Sequence, residues 1–125
     1  MTNSARYLGL VIAAFPQLRE TLASEEGIYL KTHSFVDFAN SAISRGDWST
    51  LGKCYELVDR VLREDPDDEV YNAIYVSFIE HLDFYSDPEK GGNAKKMLTP
   101  RLLAAWKELE EHWRKRSEQN RTQKQ

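Results

Sequence analysis

The 125-residue chain holds a single cysteine, Cys54, which excludes an internal disulfide and fits a reducing compartment. No apolar run approaches the roughly 20 residues needed to cross a bilayer, so no membrane span is expected. Met1–Arg6 is short and polar, and Leu8–Phe15 leads into Pro16 and charge instead of a cleavage site. No signal peptide is therefore expected, and the chain reads as cytoplasmic. His33, His81 and His112 fall on three different predicted helices, and none belongs to an H-x-x-x-H or Cys/His spacing, so neither a metal centre nor a cofactor is expected. A G-x-S-x-G elbow is missing. The Gly91–Lys96 segment lacks the strand and the glycine–lysine order of a phosphate loop. These absences point away from an enzyme.

What is present suits one helical domain. Hydrophobic residues make up 41% and charged residues 30%, enough for a modest core under a well-solvated surface. Apolar residues recur at spacings of three and four, and no alternating strand pattern emerges. The expected fold is all-α: a single-domain bundle, or a short helical-repeat-like stack, of five to six helices over residues 1–113.

A first helix starts at Ser4 as N-cap and uses Tyr7, Leu8, Val11, Ile12 and Phe15, and Pro16 forces a kink or restart. A second runs from Tyr29 to Arg45 and stops at Gly46, a C-cap glycine. The third opens at Asp47 or Ser49 and repeats Leu51, Cys54, Tyr55, Val58, Val61 and Leu62. Its cysteine therefore reads as a small buried hydrophobe. A central helix spans Glu69–Asp83. Tyr85–Lys96, with Pro88, Gly91, Gly92 and Asn93, reads as a loop. The last helix opens at Thr99 and Pro100, and buries Leu102, Leu103, Trp106, Leu109 and Trp113. Residues 114–125 form a basic polar tail, expected to be frayed or disordered.

The central helix is the most informative stretch. At 100° per residue, Val70, Tyr71, Ile74, Tyr75, Phe78, Ile79 and Leu82 make a broad apolar side. Glu69, Asn72, Val76, Glu80 and Asp83 lie opposite. Ser77 and His81 share one border of the stripe, where His81 is expected to bond a neighbouring element while its ring covers apolar surface. The order V-x-N-A-I-x-V-S-F-x-E-H-L, over Val70–Leu82, resembles a family of small, uncharacterised, helical bacterial proteins. An early leucine–proline turn (Leu10 to Leu18) and the Leu98–Glu110 stretch are also similar, so the likeness spans residues 5–113. The resemblance carries over no catalytic residues. It implies a kinship to immunity proteins of bacterial toxin systems.

Charge is unevenly placed. Residues 114–125 carry a net +4, leaving −7 on the remainder of a chain whose overall charge is −3. An acidic body argues against a nucleic-acid reader, whose footprint is a basic face on the folded part. It suits a basic protein partner, because complementary fields speed encounter. The functional expectation is an immunity protein that occludes a cognate toxin domain, such as a nuclease. The expected partner-binding set is Glu64, Asp65, Asp67, Asp68, Glu69, Asn72, Glu80 and Asp83, with Tyr71 and Tyr75 as aromatic anchors. The same features fit a non-enzymatic interaction or scaffold module, monomeric or homodimeric. A small enzyme is the third reading.

Overall fold

Capping side chains fix where five of the helices begin. The computed structural model describes residues 2–123, with side chains described through residue 118. Helix α1 covers Ser4–Ala14 and is capped by Asn3, whose Oδ1 accepts from the Arg6 amide at 2.9 Å. The cap is thus one residue earlier than expected, and Ser4 is the first helical residue. Pro16 breaks the chain as expected: a 3₁₀ turn over Pro16–Leu18 leads into α2, Arg19–Ser24. Lys31 Nζ reaches back to the Leu22 and Glu25 carbonyls and satisfies the end of that short helix.

Helix α3, Gly27–Arg45, ends at Gly46, which adopts φ 66° and returns its amide to Ala42 and Ile43. Helix α4, Trp48–Arg63, is opened by Asp47, which accepts from both the amide and the hydroxyl of Thr50. Helix α5, Asp68–Ala73, is capped by Asp67 and passes into a π-helical turn, Ile74–Phe78, and a 3₁₀ turn, Ile79–His81. Helix α7, Pro100–Gln123, begins at Thr99, whose Oγ1 accepts from Leu102 and donates to Asp59 Oδ1 at 2.7 Å. Within the described residues the tail beyond Trp113 continues this helix. Lys124 and Gln125 lie outside them.

One expectation is corrected. Pro88–Lys96 is not a loop but a helix, α6, capped by Asp87 and with proline at its first position. The fold is all-α as expected, with seven α-helices among the described residues. The glycines that suggest a loop have a packing reason instead. A Cβ on Gly91 would lie 2.1 Å from the Phe84 carbonyl oxygen, so only glycine lets α6 pack this closely on that backbone. Gly92 has open space where its Cβ would be.

Helix α3 is the centre of the packing. It touches α2, α4, α5, α6 and both irregular turns that follow α5. It buries Ile28, Phe35, Val36, Ala39, Ala42 and Ile43 on one broad face. Phe35 sits between Phe15 of the α1–α2 corner, at 6.1 Å, and Phe78 of the π turn, at 5.1 Å. Removing a ring so placed costs about 3–5 kcal/mol. Tyr7 joins α1 to α3 by a buried hydroxyl bond to Thr32 at 3.0 Å. Helix α7 lies against α4 and the 3₁₀ turn, with Trp106 buried beside Phe84. Asn40 joins α3 to the end of the α5 segment: its Nδ2 donates to the His81 carbonyl and its Oδ1 accepts from the Asp83 amide, both at 2.9 Å. No helix among the described residues is long and apolar enough to cross a membrane.

Three substitutions test this packing by thermal or urea unfolding. Gly91→Ala is expected to destabilise by about 1–3 kcal/mol, because backbone must move. Gly92→Ala, one position on, is expected to be neutral or to stabilise by up to about 1 kcal/mol through helix propensity. Asn40→Ala is expected to cost about 1–3 kcal/mol, because it leaves the His81 carbonyl and the Asp83 amide without their partner.

Candidate functional site

The residues expected to contact a partner separate into groups once folded. Glu64, Asp67 and Asp83 are used by the fold. Glu64 accepts from Arg60 Nε at 2.9 Å, from Arg6 Nη2 at 3.0 Å and from Thr2 Oγ1 at 3.2 Å. It thereby ties the N-terminal segment to the end of α4. Beside it, Thr2 exchanges backbone bonds with Asp65 and Asp67. Asp65 holds a left-handed φ of 54° at the turn, a conformation Asp tolerates better than most residues. Asp67 caps α5 through the Val70 amide at 2.9 Å. Asp83 accepts from the Tyr85 and Ser86 amides and shapes the turn toward α6. The Ser86 bonds foremost hold its carboxyl below the usual range.

Asp68, Glu69 and Asn72 form the second group. All three are exposed, and their side chains have no polar partner among the described residues. Glu80 is half-buried at the far end of the segment. The helix dipole favours Asp68 and Glu69 in the first turn of α5, so their placement costs the fold nothing.

Apolar groups interleave with this second group. Tyr71 and Val76 are 44% and 48% exposed, which makes them the outward-facing apolar surface of the segment. Tyr71 stacks on Tyr75 with ring centroids 4.6 Å apart and planes 27° apart. Burial first, then the Tyr71 hydroxyl and the charge of Glu108 on α7, push the Tyr75 phenol above its ordinary range. It stays neutral, and the pair presents a rigid aromatic edge. The π turn widens the helix at Ile74–Phe78 and shifts the phase of everything after Ala73. Val70, Ile74, Phe78, Ile79 and Leu82 are buried as the wheel predicts, but Ser77, placed on its border, is buried too.

His33 and His81, assigned to separate helices, meet edge-to-face at 5.1 Å, and His33 Nε2 lies 3.9 Å from Asp37. Their contact depends on how α3 crosses the end of the α5 segment, for which no sequence signal exists. Among the described residues no group of three or more His, Cys, Asp or Glu side chains is arranged to hold a metal ion. Cys54 is fully buried, and desolvation foremost pushes its thiol up to about 12. A thiol so placed stays protonated at neutral pH and is a poor nucleophile.

The Glu64 cluster sets a pH dependence. Bonds from Arg60 first and Arg6 second hold its carboxyl at about 2 against an ordinary 4.5. The folded state therefore binds this proton more weakly than the unfolded chain. The resulting stability is complete above pH 4.5 and is lost as pH falls through about 2. In acid titrations of stability, Glu64→Gln is expected to be less stable than the parent at pH 7 and to flatten the slope across that window, with the two proteins converging at its acid end.

The family comparison covers nearly the whole helical domain. A model for a domain of unknown function (DUF7674) matches residues 8–114, from within α1 into α7. No curated protein and no solved structure matches the chain. Because that match spans most of the chain, the chain belongs to the DUF7674 family.

Proposed function

We propose that this protein is an immunity-type inhibitor, acting in the cytoplasm, that binds a toxin domain and occludes a basic surface on it. The observation that carries the reading is the α5 ridge, where unpaired Asp68, Glu69 and Asn72 surround the exposed edge of the Tyr71–Tyr75 stack and Val76. Carboxylates without intramolecular partners lose only water when they meet lysine or arginine, and exposed ones chiefly steer encounter. Tyrosine supplies contact area at low entropic cost, because few of its torsions must be frozen. A stacked pair is stiffer still. Charge thus brings the partner in, and the aromatic edge with Val76 supplies the desolvated centre of the contact.

The reading narrows the acidic set. Glu64 is already neutralised by two guanidinium groups, and Asp67 and Asp83 hold turns together. We assign partner contact to Asp68, Glu69, Tyr71, Asn72 and Val76, with Glu80 at the margin. The inhibition is by blockade, with no chemical step on the inhibitor.

The test is co-expression with candidate toxin domains from neighbouring genes, together with calorimetric titration of any purified pair. Tyr71→Ala is expected to weaken binding by about 30-fold or more, corresponding to a hot-spot loss of about 2 kcal/mol. Glu69→Lys with Glu80→Lys is expected to slow association and abolish growth rescue, while circular dichroism shows the parent fold. Full rescue and unchanged affinity in both variants would remove the ridge as the inhibitory face.

A further inference from the structure

A second surface, formed by α1 and α4, has the opposite character. The two helices leave a groove of about 540 Å³ between them. Leu10 and Ala13 of α1 and Leu57 of α4 form its apolar part, and Lys53, Arg60 and Arg63 stand along it. Lys53 and Arg63 are ten residues apart, so this row of cations runs roughly 15 Å along α4. That is a trough for an elongated occupant. Ala13 is exposed, and Gly9, one turn earlier on α1, has open space where its Cβ would be. A third helix can therefore approach α1 closely.

The cations are equipped for more than their present partners. Arg60 Nε donates to Glu64 at 2.9 Å, and Arg63 Nε forms an ion pair with Asp59 at 3.1 Å. Their Nη groups have no other acceptor among the described residues. Lys53 has no ion-pair partner among the described residues. Among the described residues, Glu56 is the one carboxylate lining the groove, Glu64 and Asp59 stand beside Arg60 and Arg63, and Lys53 is the cation left without an ion pair. A guanidinium with free Nη groups takes a carboxylate in paired hydrogen bonds, which an acidic side chain lying along α4 would provide.

We infer that the α1–α4 groove docks an acidic amphipathic helix of another protein. Its apolar stripe seats on Leu10, Ala13 and Leu57. Its carboxylates are spaced seven residues apart, so that they meet Lys53 and Arg60, which have the same separation on α4. This surface uses none of the residues of the α5 ridge, so the protein carries two docking faces of opposite charge and can hold two partners at once.

The probe is a fluorescein-labelled synthetic helix of about 18 residues, long enough for five turns, with leucine on one face and glutamates at i and i+7. Anisotropy titration of the full chain is expected to show saturable binding that weakens with salt. Ala13→Trp, which fills the groove from an exposed position, is expected to weaken it at least about tenfold, and Lys53→Glu about fivefold or more. Both variants must retain the parent's circular dichroism and melting cooperativity, and Gly92→Ala serves as a folded control that binds like the parent. The inference is overturned by the absence of saturable binding, by equal affinity of Ala13→Trp, or by equal binding of a peptide of the same composition with its leucines out of phase. Capture by phosphatidylglycerol vesicles in the absence of peptide binding would reassign the groove to an anionic lipid surface.

Discussion

The burial of one face of α3 is the constraint on which the other features depend. Its apolar side chains meet the α1–α2 corner, α4, α5 with its irregular continuation, and α6. Phe35 is the middle of an aromatic line from Phe15 to Phe78, so the α1–α2 corner and the π turn are registered through a single side chain. Interiors packed at crystal-like density tolerate little adjustment, so fixing α3 fixes the angle at which the α5 segment leaves the core. The placement of the α5 surface is thus a consequence of core packing.

Polar groups finish what the core begins. Asn40 satisfies an amide and a carbonyl where the 3₁₀ turn ends, Lys31 covers the carbonyls that end α2, and Glu64 ties Thr2 and Arg6 to α4. The part-buried contacts among these satisfy groups that packing shields from water. Carboxylates used in this way are withdrawn from the surface field. Of the acidic run from Glu64 to Glu69, the carboxylates left exposed without a side-chain partner among the described residues are therefore Asp65, Asp68 and Glu69.

Much of the fold is legible in the chain because the signals are local. Asp47, Gly46 and the Thr99–Pro100 pair mark helix ends through bonds to residues two to four positions away, and such bonds depend on little else. Helix α6 is obscured because Gly91 and Gly92 have low helix propensity, while the reason for Gly91 is the Phe84 backbone seven residues earlier. Asp87 and Pro88 were the signal that could have revealed it. The π turn is illegible because the wheel assumes a constant period. At the candidate site, exposure of Asp68, Glu69 and Asn72 follows from their phase. The neutralisation of Glu64 by Arg6 does not, since 58 positions separate them. The α1–α4 groove is hidden for the same reason: it belongs to two helices that only the tertiary fold brings together.

The charged surface is accordingly divided between an anionic, aromatic ridge on α5 and a cationic trough between α1 and α4. On our account the ridge is the face that engages the toxin, presented by a frame that does not rearrange. Hydrogen–deuterium exchange of the protein alone and in complex with its toxin domain tests that claim most directly. The account predicts new protection confined to residues 68–76, with exchange in α3 and α4 unchanged. Protection centred on another element, with the α5 segment exchanging as in the free protein, would contradict it.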